Sequence, residues 1–259
     1  MLVVGMWVRS TLAYRASFAL ALVGSALTSA LDFVGIYIMF THIDALGGFS
    51  LPEVALLYGT AGAALGLADL LLGNTDRVGA RIRDGSLDTM LVRPVPVFAQ
   101  VAADRFALRR LGRVLQGAAV TAWGAAHVDV AWTADKVLLL PLTVLAGTAI
   151  FAAVFLAGAA FQFVAGDAAE VQNSFTYGGA TMLQYPPSVF GREMVRGVVF
   201  VVPLAFVNWL PALYLLGRPQ PFGLPWWTAF LSPFVALLVL APAAVAWRAG
   251  LRSYRSTGS

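Results

Sequence analysis

Two carboxylates, Asp32 and Asp69, interrupt long apolar runs, and a cluster of polar side chains falls in the stretch GDAAEVQNSFTYGGATMLQYPP. An unpaired carboxylate inside a bilayer costs roughly 2.5 to 3.5 kcal/mol, so each of the two requires a cation, a proton, water or a ligand. For Asp69 the expected partner is one of Arg105, Arg109 and Arg113, which share one helical stripe and would close a structural salt bridge. Asp32 has no such neighbour. Either it lines a path and faces a cationic molecule, or it is held by a buried hydrogen bond or a water-filled cleft. In the polar stretch, Asp167, Glu170, Gln172, Asn173, Ser174, Thr176 and Gln184 fit the lining of a hydrated path and equally an interfacial helix. Glu170 and Asn173 share a face at three-residue spacing, and with Asp32 and Gln184 they are the candidate pathway residues.

Other chemistries lack their residues. There is no cysteine, hence no thiol nucleophile, thiolate site or disulfide. His42 and His127 fall in turns away from other ligands at metal spacing, so no metal is expected. The single lysine, Lys136, sits in TADKVLL without the glycines of a phosphate-binding P-loop, which excludes an ATPase of that type. A hydrolase within a membrane would need serine with histidine, paired carboxylates or a metal inside the apolar runs.

The elements that position these residues are apolar. Of 259 residues 59% are hydrophobic and 12% charged, with a mean hydropathy of +0.80, so the natural solvent is lipid and the fold all-α. Spans are expected at 17–41, 52–73, 111–131, 137–165, 168–188 and 228–247, after an interfacial helix at 1–16 carrying Trp7, Arg9 and Tyr14. A cleaved signal ending near Ala26 or Ala30 is the rival for the first run, which continues to Phe40 and so exceeds a signal core. The net charge of +4 comes from seventeen basic residues, sixteen of them arginine. Thirteen of them gather before the first run, at 77–113 and after the last run, and four, Lys136, Arg192, Arg196 and Arg218, lie elsewhere. This is the positive-inside pattern rather than a nucleic-acid surface, and it places both termini in the cytoplasm. Seven apolar segments cannot return the chain to its starting side. The segment 192–217, with Pro203 and Pro211, is read as two half-helices dipping into the outer leaflet; the alternative lays 168–188 on the inner surface and lets 192–217 cross with kinks. Ala55, Gly59, Gly62, Ala63 and Gly66 form a small-residue stripe expected to pack within the chain.

The longest charged stretch is DRVGARIRDGSLDTMLVRPVPV, within the loop 74–110. Asp76 can cap a short helix bearing Arg77, Arg81 and Arg83, Gly85 breaks it, Ser86 can cap a second one, and Pro94 and Pro96 stop that. Two short helices on a glycine hinge make a stiff projection whose apolar anchors would be Leu87, Met90 and Leu91 and whose arginines would steer a soluble partner. The competing reading is a basic loop lying on anionic lipid.

This stretch, with Ile82, Gly85, Leu87, Asp88, Leu91, Arg93 and Pro94, resembles the cytoplasmic signature of bacterial type II ATP-binding-cassette permeases of the daunorubicin- and viologen-exporter branch. A second similarity lies in YPPSVFGREMVRGVVFVVPLAFVNWLPALYLLGR, with Tyr185, Pro186, Pro203, Asn208, Pro211, Leu215, Leu216 and Gly217. The resemblance implies about six transmembrane helices, a cytoplasmic coupling helix and an outer re-entrant pair. Arg81 to Pro94 would meet an ATPase dimer, and Tyr185, Pro186, Pro203, Asn208 and Pro211 would form the outer gate. It also implies a second permease chain, identical or similar, in a bacterial inner membrane, with ATP and Mg²⁺ held by the ATPase and no cofactor on this chain. The activity implied is export of a small amphipathic or cationic molecule. The alternative is an ion-coupled secondary transporter using Asp32, Asp69 or Glu170 as proton carriers, for which an inverted repeat is wanted; the charged second loop has no counterpart in the other half.

Overall fold

A computed structural model describes residues 15–104, 107–166 and 168–255. The interfacial helix expected at 1–16 therefore lies, up to Tyr14, outside the described residues, as do Arg105, Asp167 and the side chain of Arg109. The described chain is helical, with one isolated bridge between Leu46 and Phe49 and no strand. Its helices are α1 (Arg15–Phe40), α2 (Leu51–Leu72), α3 (Val78–Arg83), α4 (Ser86–Leu91), α5 (Val97–Ala103), α6 (Leu111–His127), α7 (Ala134–Ala165), α8 (Ala169–Asn173), α9 (Gly179–Leu183), α10 (Arg192–Phe200), α11 (Trp209–Leu215) and α12 (Ser232–Ser253). One π-helical turn, Ser174–Gly178, joins α8 to α9.

Among the described residues, four helices are long and apolar enough to cross a membrane: α1, the run Leu51–Arg83 that begins with α2, α7 and α12. This is an all-α membrane protein. Helix α6 has 17 residues, shorter than the expected 111–131 because the chain turns extended at Val128. The run α8 to α9 covers 169–183 of the expected 168–188, stopped by Pro186 and Pro187. Helix α12 overshoots the expected 247 and continues to Ser253.

Helices α2 and α6 run antiparallel at close range: Gly124 meets Leu56, and Gly66 meets Val114. A Cβ at Gly117 would lie 2.5 Å from the Ala63 nitrogen, and one at Gly59 would collide with the backbone and hydroxyl of Thr121. The small-residue stripe thus packs inside the chain, where backbones approach without side chains between them. Helix α1 leans on α6, with Gly112 against Leu22 and Ala26. Helices α7 and α12 form the second antiparallel pair, with Gly250 against Phe163.

Two apolar cores result. The larger joins α2, α7, α9, α10 and α11 around Phe151, Phe155, Leu183 and Trp209. The smaller lies at the arginine-rich end, where Val78, Leu87, Met90, Val97 and Val101 of α3 to α5 pack on Leu156 and Ala159 of α7 and Ala243 and Trp247 of α12.

Candidate functional site

The projection between α2 and α6 contains three short helices, not the expected two. Gly85 takes φ 71°, a left-handed conformation that favours glycine, and so breaks α3 from α4. The capping oxygen is not that of Ser86. Asp84 Oδ1 accepts from the Ser86 backbone N–H at 2.9 Å and from its hydroxyl at 2.6 Å, and these bonds hold the Asp84 carboxyl below its usual range. At the far side of the tip, Gln100 Nε2 donates to the carbonyls of Met90 and Val95, both at 2.8 Å, and so closes the loop through Pro94.

The residues expected to meet a partner divide into two sets. Leu87 and Met90 are buried in the smaller core, and Arg81 is spent internally on Asp104 Oδ2 at 2.7 Å; none is a surface anchor or steering charge. Leu87 and Met90, three residues apart on one face of α4, turn inward together, whereas Leu91, the last residue of that short helix, is exposed. Ile82 and Asp88 are half-buried, whereas Leu91, Val92, Arg93, Pro94 and Val95 form an exposed apolar tip with one charge. Tyr254, just past α12, packs into the same core; burial raises its phenol above the usual value and the Asp88 carboxylate adds to this.

A side chain missed in sequence joins this projection to the bundle. Gln162 of α7 is fully buried. Its Oε1 accepts from the Gly79 N–H of α3 at 2.6 Å, while Nε2 donates to the Thr75 carbonyl at 3.3 Å and to Gln172 Oε1 of α8 at 3.1 Å. Gln162 is the one strongly polar residue between Ala149 and Ala165, and a lone amide in an apolar run must find partners.

Asp69 is paired, but not with the expected stripe. Arg110 Nε stands 3.3 Å from its Oδ1 and Tyr177 donates its hydroxyl to the same oxygen at 2.8 Å; Arg110 Nη1 also donates to the Asp69 carbonyl at 3.0 Å. Arg110, the last residue of the 3₁₀ turn Leu108–Arg110, reaches Asp69, while Arg113, one turn on, lies past it on the pocket side. Arg113 instead lies over the Tyr177 ring, 5.4 Å from its centroid.

One turn deeper, α1, α2, α6 and α9 enclose a polar pocket of about 310 Å³ lined by Asp32, Tyr58, Arg113, Gln116, Tyr177, Thr181, Gln184 and Tyr185. Of the candidate pathway residues, Asp32 and Gln184 line it. Glu170 is exposed near the arginine-rich end and Asn173 is half-buried beside it; neither reaches the pocket, because the π-helical turn after Asn173 rotates the face they share away from that of Tyr177 and Thr181.

The segment 192–217 starts and finishes at the end of the bundle opposite the arginine-rich one. Arg192 and Arg218 line one cavity with Gly47 and Phe49 of the α1–α2 loop, and Arg218 pairs with Glu53 at 2.8 Å. Between them the chain reaches the middle of the bundle, where Val207 and Ala64 both close on Gly147. Asn208, fully buried, donates to the carbonyls of Leu57 and Leu183, both at 3.0 Å, and Trp209 Nε1 donates to the Tyr185 carbonyl at 3.0 Å. Pro203 occupies the turn and Pro211 the first turn of α11, where no intrahelical N–H bond is lost; Pro211 starts a half-helix rather than interrupting one. Pro186 is buried and caps the entry. The two histidines sit at this same end, His127 stacked on Trp123 and His42 beside Thr41.

Residues 26–258 match the family described as ABC-2 family transporter protein. No curated protein and no solved structure matches the chain.

Proposed function

Since the chain belongs to the ABC-2 family of transporter membrane proteins, we propose that it is the permease subunit of an ATP-driven exporter, working with an ATPase carried on separate polypeptides. The observation that supports this reading is the exposed tip Leu91–Val95, set on a rigid base by Gln100, Gly85 and the smaller core. A short apolar tip that carries Arg93 suits a groove on a soluble partner, and its base touches the polar network of the bundle through Gln162. Force delivered at the tip would reach α7 and α8, and from α8 the pocket lined by Tyr177 and Gln184. The chain would supply path and lever, and the partner would hold ATP and Mg²⁺. Two permease chains, identical or similar, would flank the path. The arginine-rich end, with both termini, would face the cytoplasm of a bacterial inner membrane, and 192–217 would close the outer side as a re-entrant pair. The cargo would be a small amphipathic or cationic molecule.

Replacing Leu91 and Val92 with Asp tests the reading, since both are exposed and neither supports the fold. Membrane insertion and monodispersity are expected to persist while co-purification of the ATPase falls at least tenfold; unchanged co-purification would sink the coupling role.

A further inference from the structure

The pocket between α1, α2, α6 and α9 holds two opposite charges that do not meet. Asp32 and Arg113 both line its 310 Å³, yet among the described residues neither closes an ion pair. Arg113 rests its guanidinium over the Tyr177 ring, and its Nη1 is buried without an acceptor. The Nε2 of Gln116, one turn further along the same helix, is buried and unaccepted too. Asp32 stands opposite, at the exposed mouth. Buried N–H donors without acceptors are costly, and a charge-assisted bond from an anionic oxygen relieves them. A carboxylate at the mouth asks for a cationic nitrogen, and tyrosine rings supply flat apolar faces beside both.

We infer that this pocket receives a zwitterion, its carboxylate or phosphate oxygen taken by Arg113 and Gln116, its ammonium by Asp32, and its body laid against the tyrosines. The inference rests on the permease reading and narrows its cargo, since a purely cationic molecule would leave Arg113 unanswered. A soluble amino-acid-like molecule and a zwitterionic lipid headgroup offer the same pair of charges, and the test separates them.

Phenylalanine, phenethylamine and 3-phenylpropionate share one ring and differ only in charge. Their binding to the full chain in nanodiscs of phosphatidylglycerol, followed by calorimetry, is expected to favour phenylalanine by about tenfold over either analogue. Arg113→Gln removes the preference over phenethylamine, Asp32→Asn removes that over 3-phenylpropionate, and Arg113→Lys keeps most of it, which a merely structural arginine would not do. Introducing phosphatidylethanolamine into the disc weakens phenylalanine binding by competition if the headgroup is a ligand and leaves it unchanged if the ligand is soluble. Equal binding of phenylalanine and phenethylamine overturns the inference, as does failure of both phenylalanine and phosphatidylethanolamine to bind. Because this assay needs no ATPase, loss of the permease reading for want of an ATPase partner would leave the zwitterion preference standing, and the reverse holds.

Discussion

Helices α1 and α2 are both apolar and both long enough to cross a bilayer, yet they live in different surroundings. Every residue of α2 from Val54 to Gly66 is buried, whereas Ile36 alone is buried among the described side chains of α1. Hydropathy reads the solvent, not the neighbour. What separates the two is side-chain size: Gly59, Gly62 and Gly66 let α6 come close, while Leu20, Val23, Leu27 and Leu31 stand out from α1 with no protein over them. The same division recurs within the projection, where Leu87 is interior and Leu91, four residues on, is not.

The division can be broken hardest at the α2–α6 seam. Gly117→Leu drives a side chain into the backbone of Gly62 and Ala63, and loss of folded, monodisperse protein is expected. Gly24→Leu and Gly35→Leu on α1 meet nothing within 4 Å and are expected to leave yield and melting unchanged. If both sets behave alike by size-exclusion chromatography, the contrast between the helices is false. Next in size, Leu87→Ala empties a fully buried site and should cost about 2–5 kcal/mol, against less than about 0.5 kcal/mol for Leu91→Ala, read as thermal stability in detergent. Third, Gln162→Leu strips partners from Gly79, Thr75 and Gln172, for an expected loss of about 1–3 kcal/mol. The sharper readout is the ratio of transport to ATP hydrolysis in the reconstituted complex, which should fall even at temperatures where the variant is folded.

The smallest effect is a pH dependence at the knuckle. The Asp84 carboxyl lies below its usual value in the folded chain because Ser86 donates to it twice. Its contribution is therefore complete above the ordinary carboxylate range near about pH 4 and fades as the pH falls through the lower, folded value. Hydrogen exchange of residues 84–91 should accelerate below about pH 4 in the native chain and lose that dependence in Asp84→Asn.

How far such surroundings were legible varies by residue type. The helical membrane fold follows from apolar runs, and the helix break at Gly85 from a residue that alone tolerates φ 71° without strain. The seam was readable because glycines at helical spacing admit few explanations. Inward and outward faces of α4 were not, since a six-residue helix carries too little periodicity to tell Leu87 from Leu91. Asp69 advertised the need for a cation, but the one that reaches it is Arg110, off the expected stripe and at the end of a 3₁₀ turn that leaves no mark in composition. Glu170 and Asn173 were misplaced by the same kind of slip at the π-helical turn. Gln162 was visible in principle as the lone amide among the seventeen positions 149–165, and its partners 83 and 87 residues away were not.

The smaller core has a consequence for anyone who would graft this projection onto a relative. Its roots are shared property: Leu156, Phe163, Trp247 and Tyr254 belong to distant stretches of the chain, yet they form the socket in which Val78, Leu87 and Val101 sit. A chimera that exchanges only residues 73–104 inherits a peg cut for another hole, whereas one that carries the ends of α7 and α12 along with it moves the joint entire.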